Sequence, residues 1–351
     1  MANDLGNPSY SLSIGGAPLD ELTLRYVLSL ELEESLTEMD MMVLRVQLPE
    51  SAAEDTRLRG IFKLGAAFTA SISYGTGAIR QAQGDIVERS FRFGSGMTRE
   101  LVIRGLDGLY RLQQKRFSRY WNGPLNTIAT TIAGEHGMTA TVTGVPSTPA
   151  YEFQNNERNG SFLRRIAFKA GLSLECIDGA LLLEPASLPP EPLTIPPSAL
   201  LDYEVRHQLY DIPTKVTVRG WDIRTNAAVT GTSVSGQLQK VSGGTSGPDL
   251  VMTLFGENNL EVDNAALDTA SKCTDMANSI LQDRAFGLVT GAITLRGVPD
   301  LISGKKVNLK GIGLQSGAYM IGGSAHRFDA RGGYVTTIRL TSDSLCSTDL
   351  G

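Results

Sequence analysis

The chain has 351 residues, enough for two or three domains, and its 41% hydrophobic and 20% charged residues are ordinary for a folded protein with more than one core. The net charge is −5 and no basic stripe is present, which argues against specific nucleic-acid binding. The cysteines, Cys176, Cys273 and Cys346, are far apart and odd in number, so neither a zinc site nor a disulfide framework is indicated. No apolar run approaches the ~20 residues that cross a bilayer, and the polar N-terminus lacks an apolar signal core, so we expect synthesis in the cytoplasm and no membrane anchor.

Residues 1–110 are predicted to form short strands separated by glycine turns. Gly65 precedes one apolar run, and Gly94-Ser95-Gly96 separates two others. Short strands at this close spacing are typical of a small barrel or sandwich, so we expect a first β domain here. The predicted strands lie at residues 22–24, 27–31, 42–46, 66–75, 84–87 and 100–104.

Residues 111–184 change to helical spacing and are predicted to form a small α+β module. One helix ends at His136-Gly137, and its apolar face is Leu125, Ile128, Ala129 and Ile132. A second helix is expected over residues 161–170, with Asn159 as its N-cap and Gly171 as its left-handed C-terminal residue. The buried face of this second helix is expected to be Phe162, Leu163, Ile166 and Ala167.

Turn and charge signals complete the middle of the chain. Asp178-Gly179, between two apolar runs, is the strongest short hairpin signal in the sequence. The basic run at residues 111–119 is interpreted as a solvated helix or an interface edge. The six prolines within residues 185–200 exclude a helix and predict an extended connector between domains.

Residues 201–351 return to strands and are predicted to form the second β domain. Residues 215–222 alternate cleanly, and residues 292–340 contain further strands between glycines. The Gly-, Ser- and Thr-rich residues 230–249 predict a long mobile loop or a protruding hairpin. An amphipathic helix is expected over residues 263–285, capped by Asp263, and its buried face is Leu267, Ala270, Thr274, Ala277, Ile280 and Leu281.

The two strand-rich segments resemble each other, which suggests a duplicated barrel. Residues 65–70 align with residues 304–309, and residues 84–87 align with residues 317–320. Each segment then has a glycine turn and a closing strand that carries Ile-Arg. In the glycine turns, Gly94 aligns with Gly332-Gly333. In the closing strands, Ile103-Arg104 aligns with Ile338-Arg339.

Motifs that would indicate catalysis are weak or missing. His136, His207 and His326 lie in neither an HExxH nor an HxH arrangement, and structural roles are the simpler interpretation. The Gly94-Ser95-Gly96 run is not a nucleophile elbow, and the glycines of residues 241–247 lack the lysine of a phosphate-binding loop. Carboxylate pairs are the remaining candidates for glycoside cleavage, either among Glu31, Glu33 and Glu34 or between Glu152 and Glu157. We predict no catalytic residue, cofactor or metal.

Three stretches carry a resemblance to a known family. Residues 154–172 are similar to its Q-x-N-E-S-D-x-x-F-L-x-R-L-A…G region, residues 216–222 resemble a second region, and the ending from residue 297 resembles a third. Residues 65–107 are similar too. Nearly the whole chain thus resembles, in family order, the phage late-control protein D and the baseplate hub portion of the VgrG spike proteins of type VI secretion. The matching positions are Gln154, Asn156, Glu157, Phe162, Leu163, Arg165, Gly171, Gly220, Trp221, Gly304, Gly317, Tyr319, His326 and Tyr334.

The resemblance implies a structural role for the chain and for these signature residues. Family hubs are homotrimers in which each chain supplies two tube-like β-barrels, so that three chains make a pseudo-sixfold ring. The implied partners are the inner tube protein, a separate spike protein, other baseplate proteins and the tape measure protein. The chain ends shortly after the second barrel, so the spike is expected to be a separate polypeptide.

The implied location is the tail baseplate of a virion or injection particle, in a phage tail, a tailocin or a contractile injection system. The sequence departs from the family at residues 158–160, where Arg-Asn-Gly replaces a more usual acidic or serine-containing helix start; this affects the local cap.

Two other functions are compatible with a tail protein. A tail-associated peptidoglycan-degrading enzyme would need an acid/base pair, for which the carboxylates above are the candidates. A glycan- or receptor-binding tail-tip protein would need exposed aromatic platforms. Trp121 and Trp221 are the only tryptophans, and both are predicted to lie beside regular elements.

Overall fold

Strands dominate the computed structural model of the chain, which describes residues 8–74, 79–94, 98–144, 150–185, 192–329 and 332–346. The mainly β class with a few helices, predicted from the sequence, is confirmed. Residues 95–96 of the predicted turn and residues 186–191 of the proline-rich connector lie outside the described residues. Within the described ranges, no helix is both long enough and apolar enough to cross a bilayer.

The first part of the chain contains the predicted strands and two helices that were not predicted. Residues 22–24, expected as a strand, lie in a short helix because Asp20 accepts a 2.7 Å hydrogen bond from the Thr23 N–H. The other helix shows no apolar period because Leu58 is its one buried residue. The elements are β1 (Pro8–Ile14), β2 (Ala17–Pro18), α1 (Glu21–Leu24), β3 (Val27–Ser35), β4 (Met41–Gln47), α2 (Ala52–Ile61), β5 (Ala67–Tyr74), β6 (Ile79–Phe93) and β7 (Arg99–Leu106).

The middle module follows the prediction closely. Gly137 and Gly171 end their helices with φ of +69° and +73°, and the Asp178-Gly179 hairpin forms with both residues at positive φ. Asn159 is a correction: Arg158 is the N-cap, and Asn159 is the first helical residue. After a 3₁₀ turn (Gly108–Gln113), the elements are β8 (Arg116–Gly123), α3 (Leu125–Glu135), β9 (Thr139–Val142), β10 (Ala150–Arg158), α4 (Asn159–Lys169), β11 (Leu172–Ile177) and β12 (Ala180–Pro185).

The last part of the chain has a later helix start than predicted. Asp263 ends a strand that pairs with residues 215–219, and Thr269 caps the helix by accepting the Lys272 N–H. The elements are β13 (Leu193–Ile195), β14 (Leu200–His207), β15 (Lys215–Asp222), β16 (Ala227–Val234), α5 (Gly247–Phe255), β17 (Asn259–Asp263), α6 (Ala270–Ala285), β18 (Val289–Arg296), β19 (Lys306–Leu309), β20 (Gly317–Asp329) and β21 (Gly333–Ser342).

The prediction of a mobile loop at residues 230–249 is wrong. Its first residues belong to β16, and the remainder is packed against the C-terminal segment. The Asp343 carboxylate accepts hydrogen bonds from the backbone N–H groups of Lys240 (2.9 Å) and Val241 (2.8 Å), and Val241 is buried. The composition of the loop could not predict these hydrogen bonds, because Asp343 lies about 100 residues further along the chain.

The two strand-rich parts join in one sheet of thirteen strands. The hydrogen-bonded order in the first half is β3-β4-β7-β6-β5-β1, with β2 beyond β1. In the second half it is β14-β18-β21-β20-β19-β13. The second order repeats the first strand by strand, so the internal repeat predicted from the sequence is present in the strand order. The final pair is the exception in direction, since β1 and β5 are antiparallel whereas β13 and β19 are parallel.

A glycine and an isoleucine occupy the same place in both halves. Gly65 and Gly304 have left-handed backbones with φ of +79° and +80°. The Gly65 N–H donates to the carbonyl oxygen of Ile86, and the Gly304 N–H donates to that of Ile321, both at 2.8 Å. Each isoleucine N–H in turn donates to the carbonyl of the residue after its glycine. The two halves therefore share this turn atom by atom.

Bulges recur at matching positions as well. One follows the shared isoleucine, at Val87 in β6 and at Gly322 in β20. Another lies in the first strand of each half, at Leu28 in β3 and at Leu201 in β14. Bulges bend a strand and fix its register, so their recurrence aligns the halves residue by residue.

This alignment corrects one part of the sequence repeat. Ile103-Arg104 and Ile338-Arg339 are equivalent, as predicted, because Arg104 and Arg339 each lie opposite the residue after a bulge. Gly84 is equivalent to Tyr319 and not to Gly317, a shift of two residues. The glycines serve different contacts: a Cβ at Gly84 would meet the carbonyl oxygen of Leu106, and one at Gly317 would meet Cys346.

Strand β20 joins the halves. Residues 317–320 pair with β19, and residues 323–329 pair antiparallel with residues 29–35 of β3. Each half has its own apolar core, represented by Leu30, Leu44 and Ile103 in the first and by Ile293, Ile321 and Ile338 in the second.

Two further cores lie outside the large sheet. The middle module buries the predicted helix faces, including Ile128, Ile132, Phe162 and Leu163. An insert between β14 and β18 contains α5, α6 and a small sheet in the order β16-β15-β17. Its core is formed by Val216, Val218, Cys273, Ala277 and Leu281, among others.

Candidate assembly surfaces and signature residues

Gln154 is the centre of a buried polar network between β8, β10 and the start of α4. Its side chain is fully buried. The amide oxygen accepts hydrogen bonds from Arg119 Nε (3.1 Å) and Trp121 Nε1 (3.4 Å). The amide nitrogen donates to the Glu157 carbonyl oxygen (3.0 Å) and to Asn159 Oδ1 (2.9 Å). Buried polar groups must be hydrogen-bonded, so this network fixes the hairpin against the helix.

The neighbouring signature residues complete the same scaffold. Glu157 receives two hydrogen bonds from the Arg165 guanidinium, at 2.9 and 2.8 Å, and the guanidinium lies 5.2 Å from the centre of the Phe162 ring. Leu163 is buried in the core of the module. Asn156 has φ of +49° and lies within the irregularity of the β8–β10 pairing, where its N–H donates to Ser118 Oγ. Gln154, Glu157 and Arg165 thus connect β10 with α4.

The later signature residues lie apart from the first group. A Cβ at Gly220 would meet the Leu267 carbonyl oxygen, so glycine permits the close approach that lets the Trp221 N–H donate to that oxygen. The Trp221 side chain is 41% exposed. Tyr319 is buried, and its hydroxyl donates to the Gln315 carbonyl oxygen (2.7 Å).

His326 and Tyr334 form a buried pair beside the joint between the halves. His326 Nε2 lies 3.0 Å from the Leu301 carbonyl oxygen, so this nitrogen carries the proton. Nδ1 accordingly accepts a 2.8 Å hydrogen bond from the Tyr334 hydroxyl. Desolvation, with a smaller effect of the Arg80 charge, lowers the pKa of His326 to about 4.

An acidic pair lies between the first half and the middle module. Desolvation and the neighbouring Asp107 raise the pKa of Asp40 to about 7, and desolvation raises that of Asp107 to about 6. Arg80 Nη2 lies 3.8 Å from Asp40 but contacts Glu34 more closely, so its charge is directed mainly at Glu34. Asp107 also accepts backbone N–H groups from Asp40 (3.3 Å) and Leu109 (3.0 Å), which gives it a structural task.

Three of the carboxylates considered for glycoside cleavage, Glu34, Glu152 and Glu157, take part in ion pairs. Glu152 lies 3.1 Å from Lys169 Nζ, and Glu157 is held by Arg165. Glu34 contacts Arg80 and accepts a 2.9 Å hydrogen bond from Ser324. In the ranges that the structure describes, no group of three or more His, Cys, Asp and Glu side chains is placed to hold a metal ion.

Two strand edges expose apolar side chains, and the sequence analysis missed them. Among the described residues, β6 continues beyond Ile86 to Phe93 and there pairs with β7 alone, while β14 pairs with β18 alone. Phe91 and Phe93 are 50% and 72% exposed, and Tyr203 is 45% exposed. The signal that could have extended β6 is the alternation of these phenylalanines with Ser90 and Arg92. We call residues 88–94 the β6 edge and residues 202–208 the β14 edge.

Comparison with solved structures places the fold among phage tail proteins. The 43 kDa tail protein of prophage MuSo2 from Shewanella oneidensis superposes with a TM-score of 0.72 at 16% identity, over 96% of this chain and 99% of that one. A tail protein from Neisseria meningitidis gives 0.70 at 15% identity, over 98% and 99%. An E. coli component of the type VI secretion system, described as similar to tail proteins of bacteriophage T4, gives 0.57 at 14% identity, over 95% and 77%.

These likenesses establish the class of fold: it is that of phage tail proteins and of a type VI secretion component, which confirms the resemblance seen in the sequence. The chain belongs to the family whose model is described as the Alg8 N-terminal domain, which matches residues 20–329. Comparison with curated protein sequences gives no significant match.

Proposed function

We propose that the chain is a structural baseplate hub subunit of a contractile phage tail, a tailocin or a contractile injection system. Three copies would form a ring of six similar halves, each half a tube-like barrel. One face of the ring would seat the sixfold inner tube, and the other face would seat a threefold spike made by a separate protein. Other baseplate proteins and the tape measure protein are the further partners of this proposal, and the assembled particle is its location.

The observation that carries the proposal is the repeat within one sheet. Six strands in the first half and six in the second follow the same order, with the same glycine turn and the same bulges. A chain made of two similar halves lets a threefold assembly present six similar positions. The fold shared with tail proteins supports the same role.

The proposed domain division is the one that the sequence indicates, with β13 of the second half lying near the end of the connector. Residues 1–110 and 201–351 would be the barrel domains, residues 111–184 the module between them, and residues 185–200 the connector. The signature residues would act structurally, since Gln154, Arg165 and His326 hold neighbouring elements together. We propose no catalytic residue, cofactor or metal for this function.

Co-expression with candidate inner tube and spike proteins tests the proposal. Native mass spectrometry of the purified complex should show three copies of this chain with the spike, and electron microscopy should show a tube seated on the opposite face. A chain that stays monomeric in the presence of both partners would contradict the proposal. Release of sugar fragments from peptidoglycan by the purified chain would support the enzyme alternative.

A further inference from the structure

The β6 edge and the β14 edge both present unpaired backbone groups, which leaves a monomeric chain prone to pairing with other strands. The backbone groups on one side of each edge have no strand beside them in the described chain. Exposed edges with large apolar side chains favour pairing with another strand. Phe91 and Phe93 on one edge and Tyr203 on the other are such side chains.

The joint inside the chain shows how these edges would be covered. Residues 323–329 of β20 pair with residues 29–35 of β3. In this joint His326 lies opposite Leu32, Arg327 opposite Glu31, and Phe328 opposite Leu30. Phe328 packs on the core of the first half, and Ser324 donates to Glu34 at 2.9 Å. The joint therefore combines a backbone ladder with apolar and charged cross-strand pairs.

The bulges define which residues are equivalent. Glu88 and Gly323 both directly follow a bulge and lie opposite Arg104 and Arg339. The β6 edge therefore corresponds to residues 323–329. On the other edge, Tyr203 corresponds to Leu30. Tyr203 lies opposite Ile293 of β18 and Leu30 lies opposite Leu44 of β4, and these two partners are equivalent. The β14 edge therefore corresponds to residues 29–35.

We propose that the β6 edge of one copy pairs antiparallel with the β14 edge of a second copy, in the register of the internal joint. Phe91 then lies opposite Val205, Arg92 opposite Glu204, and Phe93 opposite Tyr203. The two apolar pairs cover Phe91, Phe93 and Tyr203, which are exposed in the single chain, and the partly buried Val205. Arg92–Glu204 repeats the charges of Arg327–Glu31. This inference deepens the proposed ring by naming the surface through which copies join.

The partner is a second copy because both edges belong to the same chain and match each other. The two edges lie in strands that are far apart in the strand order, and they do not pair with each other within the described chain. The contact is head to tail, so it continues from copy to copy until the assembly closes. In a closed ring, internal joints and joints between copies alternate, and no edge of this kind remains open.

Disulfide trapping tests the register. Arg92→Cys with Glu204→Cys, in a Cys346→Ser background, should give disulfide-linked oligomers under mild oxidation that disappear on reduction. Cys176 and Cys273 can stay because both are buried. Arg92→Cys with Arg206→Cys is the matched control: its cysteines lie two residues out of register, beyond the Cβ separation of about 4 Å that a disulfide needs. Equal linkage in both variants would overturn the proposal.

Charge reversal provides a second test that needs no crosslink. Arg92→Glu and Glu204→Arg should each weaken self-association on the order of tenfold, since like charges would face each other, and the double variant should recover it. Arg224→Glu, at an exposed turn in the insert, is the control expected to associate normally. Sedimentation velocity over a concentration series measures the change. Failure of the double variant to recover association would contradict the pairing.

The outcomes separate this inference from the proposed function. A trimer that binds tube and spike but gives no in-register disulfide would overturn the pairing and leave the hub role intact. Linked trimers that bind neither tube nor spike would support the pairing and overturn the hub role.

Discussion

At the scale of single residues, His326 is a neutral buried histidine, and its protonation would lower the free energy of unfolding. Its pKa of about 4 lies below the 6.5 of an unperturbed histidine. A depressed histidine pKa means that the unfolded chain takes up the proton more readily than the folded chain. The stability associated with His326 is therefore fully present above about pH 6.5 and is lost as the pH falls through about 4. Asp40 and Asp107, whose pKa values are raised, act in the opposite direction, with stability lost as the pH rises through about 6 to 7.

His326→Gln should lower the free energy of unfolding by about 1–3 kcal/mol at pH 7.5, because it disturbs the hydrogen bonds to Leu301 and Tyr334. The difference in the free energy of unfolding between variant and wild type should shrink between pH 6.5 and 4. In this range the wild type loses the stability that depends on a neutral His326, and the variant has no such stability to lose. Urea denaturation at several pH values measures both effects. His207→Gln, at an exposed position of β14, is the control expected to match the wild type. A deficit that is constant down to pH 4 would contradict the neutral histidine.

At the scale of elements, the turn shared by the halves depends on a left-handed glycine. A Cβ would meet nothing within 4 Å at Gly65 and would make only an ordinary 3.5 Å contact with Leu36 at Gly304. Side-chain crowding therefore contributes little at either position, and the backbone conformation alone sets the cost.

Gly65→Ala and Gly304→Ala should each destabilise the chain by about 1–2 kcal/mol, the cost of a left-handed backbone with a Cβ. The two values should agree closely, since the turns are equivalent. Gly60→Ala in α2 is the matched control, with open space and a helical backbone, and it should stabilise by up to about 1 kcal/mol. Thermal or urea unfolding of the three variants provides the comparison. A large difference between the first two would contradict the equivalence of the halves.

The elements also show what the sequence could and could not predict. The α4 face, Gly171 and the Asp178-Gly179 hairpin were predictable because each depends on residues within one or two turns. Helix α2 was not, since its one buried residue gives no period. The segment at residues 240–242 was not, because Asp343 satisfies its backbone from about 100 residues away.

The family-like residues were visible in the sequence, and Gln154, Leu163 and His326 among them lie buried in the structure. The open edges were not visible, since a strand such as β6 reveals only in three dimensions that it has a neighbour on one side. Phe91 and Phe93 would have suggested a core strand from their residue types alone.

At the scale of the whole molecule, assembly should protect specific amides from exchange. The backbone of residues 29–35 and 323–329 is paired within one chain, whereas the β6 edge and the β14 edge are open. Hydrogen exchange at residues 88–94 and 202–208 should slow by on the order of tenfold or more on assembly, with little change at the internal joint. The Arg92→Glu variant supplies the unassembled reference. Protection confined to α5 or other surfaces would contradict the predicted contact.

The bulge at Gly322 lies where β20 changes its neighbour from β19 to β3 of the first half. Because a bulge bends its strand, this residue contributes to the angle between the two halves. Val87 places the same bend at the corresponding point of β6. Every chain would then contain two bends that contribute to the curvature of a closed assembly. Straightening either bend would change the number of copies in the ring.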